Sequence, residues 1–372
     1  MSHRPLIAHI VFRYDVGGLE NSVVNLINRL HEKEFDHAII ALTQASDFRT
    51  RIRRGDVTVH ALDKKPGQDP ATYLRLYRLL RQLRPQVVHT RNLGTLECQL
   101  VACMAGVSAR IHGEHGWDIH DPDGLNRKYR AMRRAVSPAI HRFVTVSRDL
   151  QQWLVDKVGI SARKVQHICN GVDIARFRPR RDETLPSTPF PAGVVIVGSV
   201  TRFEPIKDPM NLARAFVDAR KRLAAAGSAT DLRLLMVGDG PLRADVLQFL
   251  ESSGEARNAW LPGAHSNVDA WLRIMDIYAL GSRREGISNT VLEAMASGLP
   301  VIASATGGNL ELVEPGHTGS LVPPENSVAL AEALARYAQD APLRAQHGAA
   351  ARARAEQQFS LEAMVASYTD LY

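Results

Sequence analysis

The chain has 372 residues, 45% of them hydrophobic and 23% charged, with a formal net charge of +7. That length exceeds what one core usually spans and predicts two domains, while the composition argues against wholesale disorder. The charge is uneven: residues 1–185 hold 30 Lys+Arg against 19 Asp+Glu, and residues 186–372 hold 16 against 20.

LIAHIVF (6–12) opens the chain as a strand with His9 inside it. It lacks the long apolar segment and small-residue cleavage site of a secretory signal. The glycine pair in YDVGGLENSVVNLI (14–27) follows that strand and precedes a helix over 19–31. Glycine permits close backbone approach, and a helix N-terminus offers free N–H groups to anions, although a tight turn explains the pair equally well. No GxGxxG is present, which counts against a nicotinamide dinucleotide.

HAIIAL (37–42), VTVHAL (57–62), QVVHT (86–90), ARIHG (109–113) and RFVTVS (142–147) read as further strands, with helices over 72–84, 94–105 and 125–136. Leu74, Tyr77, Leu80 and Leu83 show the three-residue spacing of a buried helical stripe. Strands alternating with helices imply βαβ units and a parallel sheet. Basic stretches at 49–56, 75–84 and 127–134 form either a solvated face or a patch for anionic lipid, a phosphorylated acceptor or nucleic acid.

HGEHGWDIHDPD (112–123) follows a strand and brings His112, His115 and His120 to the ligand end of the first sheet. Its HxxH is not a helical i, i+4 pair and no cysteine joins it, so a hydrogen-bonding or proton-handling histidine fits better than a metal site. Cys98, Cys103 and Cys169 form no CxxC and are odd in number, which suits a reducing cytoplasm with cysteines as small core hydrophobes. Asn170–Asp173 reads as a turn, and the proline-rich RFRPRRDETLPSTPFPAG (176–193) as an interdomain connection.

A second series follows: GVVIVGSV (193–200), LRLLMVG (232–238), AWLPG (259–263), DIYALG (276–281) and LPVIAS (299–304), with helices over 208–226, 241–253 and 288–297. SVTRFEPIKDP (199–209) sets Arg202 and Lys207 on one loop, where a planar fork and a point charge can clamp a diphosphate or simply be solvated. VGDGPLR (237–243) is a second glycine-bearing turn. In REGISNTVLEAMASGLPV, Glu285 falls in a strand-to-helix loop, with Ser288 or Asn289 as N-cap, and Glu293 in the helix. A carboxylate accepts two hydrogen bonds from a vicinal diol, so both acids suit a hydroxyl-rich ligand, or else are a loop acid and a helix-face acid. The chain closes with helices, the last being LEAMVASYTDLY (361–372).

GGLE (17–20), CNGVDIARF (169–177), Arg202 with Lys207, VGDGP (237–241), SRREGISNTVLEAMASGLPV (282–301) and TGGNLELV (306–313) occur in the order seen in the retaining glycosyltransferases of family 4, which the whole chain resembles. The Glu-x7-Glu block is the most specific of these. VGGLENSVVNLINRL, HTRNLGTLE and RIHGEHGWD resemble, more narrowly, the sugar transferases of PEP-CTERM/exosortase exopolysaccharide systems.

The resemblance implies a GT-B fold: two Rossmann-like, doubly wound parallel-sheet domains facing across a cleft. The expected divisions are an acceptor-side domain over 1–180, a linker over 181–193 and a nucleotide-sugar domain over 194–357. A C-terminal helix over 358–372 is expected to pack toward the first domain. The resemblance also implies a site. Arg202 and Lys207 neutralise the donor diphosphate, and Gly17 and Gly18 let their loop approach it. Glu293 binds the ribose hydroxyls, Glu285 contacts the transferred sugar or the reacting face, and His115 meets that sugar. Gly238, Asn289 and Thr290 complete the donor-binding set. Catalysis falls to His115, Glu285, Arg202 and Lys207, with the departing phosphate taking the acceptor's proton. No metal or other cofactor is expected. Gly281 stands where the family usually has proline, and EGISNT replaces the more usual Glu-Gly-Phe/Leu-Gly/Pro run, which leaves the donor sugar open.

The expected protein is a cytoplasmic hexosyl or related sugar transferase, with its basic first half near the inner membrane surface. Its partners would be a nucleotide sugar and a carbohydrate or polyprenol-linked acceptor. The alternatives are a nucleotide-sugar epimerase of the same fold and a non-catalytic nucleotide-sugar or nucleic-acid-binding protein. No helix-turn-helix or aromatic-interleaved basic motif supports nucleic acid.

Overall fold

The computed structural model describes residues 4–15, 17–31, 34–118, 121, 123–180 and 185–372. By their contacts these form two compact units, one comprising 1–171 with 361–372 and the other 172–360. Val172 belongs to the second because its N–H donates to the Phe359 carbonyl at 2.8 Å, and Arg352 donates to the carbonyls of Ile174 and Phe177. Of the proline-rich stretch, residues 181–184 lie outside the described residues.

In unit 1 the strands are β1 (Leu6–Val11), β2 (Asp36–Ala41), β3 (Thr58–Ala61), β4 (Val87–Arg91), β5 (Ala109–Glu114), β6 (Arg142–Thr145) and β7 (Val165–His167). They form one parallel sheet in the order β3-β2-β1-β4-β5-β6-β7. Runs such as IAHIV suit a parallel sheet covered on both faces. The helices are α1 (Gly18–Arg29), α2 (Pro70–Leu83), α3 (Cys98–Met104), α4 (Arg127–Val136) and α5 (Arg148–Trp153).

The buried side of α2 keeps three residues of the expected stripe: Leu80 is buried, and Tyr77 and Leu83 pack half-buried against the same core. Thr72, Leu76 and Leu80 are buried, while Leu74 is 50% exposed. Steps of three and four residues together hold one face of a 3.6-residue helix, whereas repeated three-residue steps drift around it, which turns Leu74 away from the sheet. Cys98 is buried in the core beside Leu76 and Val88, but Cys103 is exposed and Cys169 only half-buried. The expectation of three core cysteines therefore holds for one.

Unit 2 repeats the architecture with β8 (Val195–Val200), β9 (Leu232–Val237), β10 (Ala259–Gly263), β11 (Ile277–Leu280), β12 (Val301–Ser304) and β13 (Gly319–Val322). The parallel order is β10-β9-β8-β11-β12-β13. Its helices are α6 (Pro209–Ala225), α7 (Arg243–Ser252), α8 (Val268–Leu272), α9 (Asn289–Ala296), α10 (Asn309–Leu312), α11 (Ser327–Gln339) and α12 (Ala341–Gln358). Phe203, Phe216, Leu234, Leu330 and Tyr337 are fully buried in its main core, each such side chain contributing about 1.5–3 kcal/mol. The last helix, α13 (Leu361–Leu371), buries Leu361, Met364 and Tyr368 against Ile7, Leu26 and Val144 of unit 1.

Both sheets are doubly wound, and strand order reverses between β1 and β4 and again between β8 and β11. Ligands of such sheets bind beyond the carboxyl ends of the strands at these reversals. Gly17–Gly18 follows β1, Arg202–Lys207 follows β8, and Ser282–Glu285 follows β11.

Candidate active site

At the unit 2 reversal the loops after β8 and β11 are joined by charge. Lys207 Nζ donates to Glu285 Oε1 at 2.6 Å and Oε2 at 2.8 Å, and Ser282 Oγ donates to Oε1 at 2.7 Å. Glu285 is only 4% exposed, so the carboxylate is held by hydrogen bonds rather than by water. The loops are also pinned through their backbones. The Arg283 N–H donates to the Ile206 carbonyl at 2.9 Å, and Arg283 Nε to Asp208 Oδ2 at 3.3 Å. Asp208, at φ 43° and ψ 58°, caps α6.

Arg202 is exposed on the same loop between Thr201 and Phe203. The Phe203 N–H donates to the Asp239 carbonyl, and a Cβ at Gly238 would lie 1.8 Å from the Thr201 carbonyl oxygen. With φ at +142°, Gly238 therefore lets the turn after β9 press on the loop carrying Arg202. Gly307, at φ +51°, does the same on the far side, where a Cβ would lie 1.8 Å from the Glu285 carbonyl oxygen.

Ser288 caps α9, accepting from the Val291 N–H at 3.3 Å. Asn289 and Thr290 open that helix. The Tyr278 hydroxyl lies 2.7 Å from Thr290 Oγ1, so Thr290 is engaged within the protein. Ile287 is buried against Gly308. Glu293 lies further along α9, half-buried. Burial raises its pKa to about 8, opposed by Arg176 and reinforced by Asp269, so the carboxyl is largely protonated at neutral pH.

In unit 1, Gly17 is extended (φ −165°) and caps α1, and Gly18 is its exposed first residue. Neither has a positive φ, so the backbone conformation does not demand glycine there. His115 follows β5. Its N–H donates to Asn92 Oδ1 at 2.7 Å, and its ring rests over Gly113, where a Cβ would come within 2.6 Å of Nε2. Both ring nitrogens are covered and without a hydrogen-bond partner. Burial, with Arg91 adding, lowers its pKa to about 3, so the ring is neutral.

His112 is not a ligand-facing group. It is fully buried, with Nδ1 2.8 Å from Thr90 Oγ1 and Nε2 3.3 Å from Glu114. Arg133 closes this network with bonds of 2.6 and 3.1 Å to Glu114. His120 lies outside the described residues. Among the described residues no group of three or more His, Cys, Asp or Glu is arranged to hold a metal ion.

The sequence compares with known proteins on this footing. Residues 180–354 match the family described as glycosyl transferases group 1, and residues 16–176 match glycosyltransferase family 4. A GDP-mannose-dependent α-mannosyltransferase of Mycolicibacterium smegmatis is 30% identical, over 84% of this chain and 82% of that protein. The chain belongs to the group 1/family 4 glycosyltransferases.

An Escherichia coli UDP-Gal:α-D-GlcNAc-diphosphoundecaprenol α-1,3-galactosyltransferase shares 24% identity with this glycosyltransferase, over 90% of this chain and 88% of that one. Anabaena HepE, solved with UDP and glucose, superposes with a TM-score of 0.83 at 18% identity, covering 99% of each chain. Such neighbours give the fold, a pair of Rossmann-like domains of the GT-B type.

Ser282, Asp208, Gly307 and the Tyr278–Thr290 contact escape sequence reasoning. Ser282 opens SRREGISNTVLEAMASGLPV, three residues before Glu285, and Gly307 lies in TGGNLELV. The glycine pair of that loop is the available signal for the latter. Asn92 and the Glu114–Arg133 pair leave none, since each depends on residues distant in sequence.

Proposed function

We propose that this glycosyltransferase is a retaining enzyme. It moves a hexosyl or related sugar from a nucleotide-diphosphate sugar to a glycan or polyprenol-linked acceptor in surface polysaccharide assembly. The observation that carries this reading is the Lys207–Glu285–Ser282 cluster at the unit 2 reversal, with exposed Arg202 on the same loop.

Charge builds on the diphosphate as the glycosidic bond breaks. Arg202 and Lys207 stabilise that charge in place, which is worth more in a dry site than in water. Lys207 shares its charge with Glu285 before the donor arrives. Glu285, backed by Ser282, then faces the hydroxyls of the transferred sugar. Glu293 takes the ribose hydroxyls, and ionisation would give it two accepting oxygens. Gly17 and Gly18 admit the diphosphate close to the backbone. Gly238 serves by holding the Arg202 loop, and Asn289 and Thr290 by presenting the first turn of α9. His115, neutral, hydrogen-bonds the sugar after its ring turns from over Gly113.

The departing phosphate takes the acceptor's proton, so no protein base is required. No metal is assigned to this step. The names of the E. coli and M. smegmatis relatives specify α-linked transfer, the outcome that retention gives from an α-linked donor. The polyprenol-linked acceptor is likewise suggested by the E. coli relative.

For the membrane, α2 and its C-cap Arg84 offer exposed Arg78, Arg81 and Arg84 with Leu74, and α3 exposes Leu100 and Met104. Arg54 and Arg133 drop out of the basic stretches, being buried and paired with Asp56 and Glu114. We assign the remaining face to the inner membrane surface, with the protein otherwise cytoplasmic. Among the described residues no helix is long and apolar enough to cross a membrane. Equal sedimentation with anionic and neutral liposomes would overturn this assignment.

The donor is tested by thermal shift with UDP-, GDP-, dTDP- and ADP-sugars. A true donor raises the midpoint in proportion to the logarithm of its concentration. Product analysis without acceptor distinguishes transfer from epimerisation.

A further inference from the structure

Asn92 is the residue immediately after β4, and its backbone is unusual. Its φ is 58° and its ψ 171°. Other non-glycine residues with positive φ, such as Arg84 (50°, 51°) and Asp208 (43°, 58°), occupy the left-handed helical well. A ψ near 180° at positive φ lies outside that well, in a region used almost only by glycine. Such strain persists where surrounding bonds over-determine it.

Those bonds are present. The Asn92 N–H donates to the Gly113 carbonyl at 2.7 Å, and its own carbonyl accepts from the Thr95 N–H at 3.2 Å. Thr95 Oγ1 in turn accepts from the Arg91 N–H at 2.7 Å. The side chain then does one thing beyond its loop: Oδ1 accepts from the His115 N–H at 2.7 Å. Asn92 thus clamps the end of β5 on both sides of Glu114, at Gly113 and at His115, while the His115 ring makes no hydrogen bond.

We propose that Asn92 is a positioning residue for the transfer reaction, its strained backbone aiming Oδ1 at the His115 amide so that only the imidazole must turn to meet the sugar. This rests on the assignment of His115 to the sugar made above. A misplacement of about 1 Å in a reacting constellation costs on the order of a hundredfold in rate.

The test compares Asn92→Gly, Asn92→Asp, His115→Ala and the double variant Asn92→Gly/His115→Ala in the full-length enzyme. Glycine relieves the strain and removes the acceptor, whereas aspartate keeps an acceptor oxygen. Asn92→Gly is expected to keep or raise the melting temperature, to hold the donor KM within about twofold and to lower kcat about 10- to 100-fold. Asn92→Asp should restore most of kcat, and the double variant should fall no lower than His115→Ala.

A wild-type kcat in Asn92→Gly beside an impaired His115→Ala overturns the role of Asn92 alone. A double variant reduced by the product of the single effects overturns it too, because Asn92 then acts by another route. A wild-type kcat in His115→Ala instead overturns the assignment of His115 itself, and the route through it.

Discussion

Lys207 Nζ lies 2.6 and 2.8 Å from the two carboxylate oxygens of Glu285, across loops that follow neighbouring strands of the unit 2 sheet. A lysine so placed neutralises a buried acid at rest and stands beside the ligand end of the sheet. Lys207→Ala and Glu285→Gln should each lower kcat/KM by about 10²–10³, the usual effect of removing one electrostatic contact to a charged transition state. Lys207→Ala should also cost about 1–3 kcal/mol of stability, because it leaves buried Glu285, which also accepts from Ser282, without its cation. Initial rates and urea unfolding of the two variants check both numbers.

Glu293 gives a pH dependence of definite sign. Burial lifts its folded pKa from 4.5 to about 8. The folded chain therefore holds a proton that the unfolded chain releases, and stability falls as pH rises from about 4.5 to about 8. Glu293→Gln should remove this slope. The variant should match the parent near pH 4 and exceed it increasingly up to pH 8, by about 1–4 kcal/mol. Parallel slopes across that window would contradict the burial of this carboxyl.

Gly307 presses on the backbone of Glu285, and its φ of +51° disfavours a side chain. Gly307→Ala should cost about 2 kcal/mol or more and lower kcat together with it, since the Glu285 loop must move. Urea unfolding and initial rates at matched temperature read the two effects.

Much of the scaffold is legible in the sequence. Alternating apolar runs and helical segments locate most strands, and the loops bearing Arg202, Lys207 and Glu285 fall where strand order reverses. What escapes is short or long-range. β7 has three residues and β13 is GSLV, too brief and too small-sided to show a period. The stripe on α2 loses Leu74 because repeated three-residue steps drift around a 3.6-residue helix. His112 and Arg133 read as site and surface residues, yet each completes its hydrogen bonding with Glu114, a pairing that only the folded sheet creates.

That buried network carries its own prediction. Burial alone pushes the Glu114 pKa up, but Arg133 and His112 outweigh it and hold the carboxyl well below the usual range. Its stabilisation is present above the unfolded value of 4.5 and is lost on acidification. Glu114→Gln should destabilise the protein by about 3–5 kcal/mol at pH 7, with the deficit shrinking below pH 4.5. Thermal melts at pH 7 and pH 3.5 report the difference.

The most direct measurement follows a labelled nucleotide sugar, once the donor is known, to a polyprenol-diphosphate-linked acceptor. Nucleoside diphosphate release and the anomeric configuration of the product are read by NMR for the parent enzyme and for Lys207→Ala. The expected result is stoichiometric release with the donor's anomeric configuration kept, and a rate at least about a hundredfold lower in the variant. An inverted product, or Lys207→Ala turning over at the parent's rate, would contradict the account.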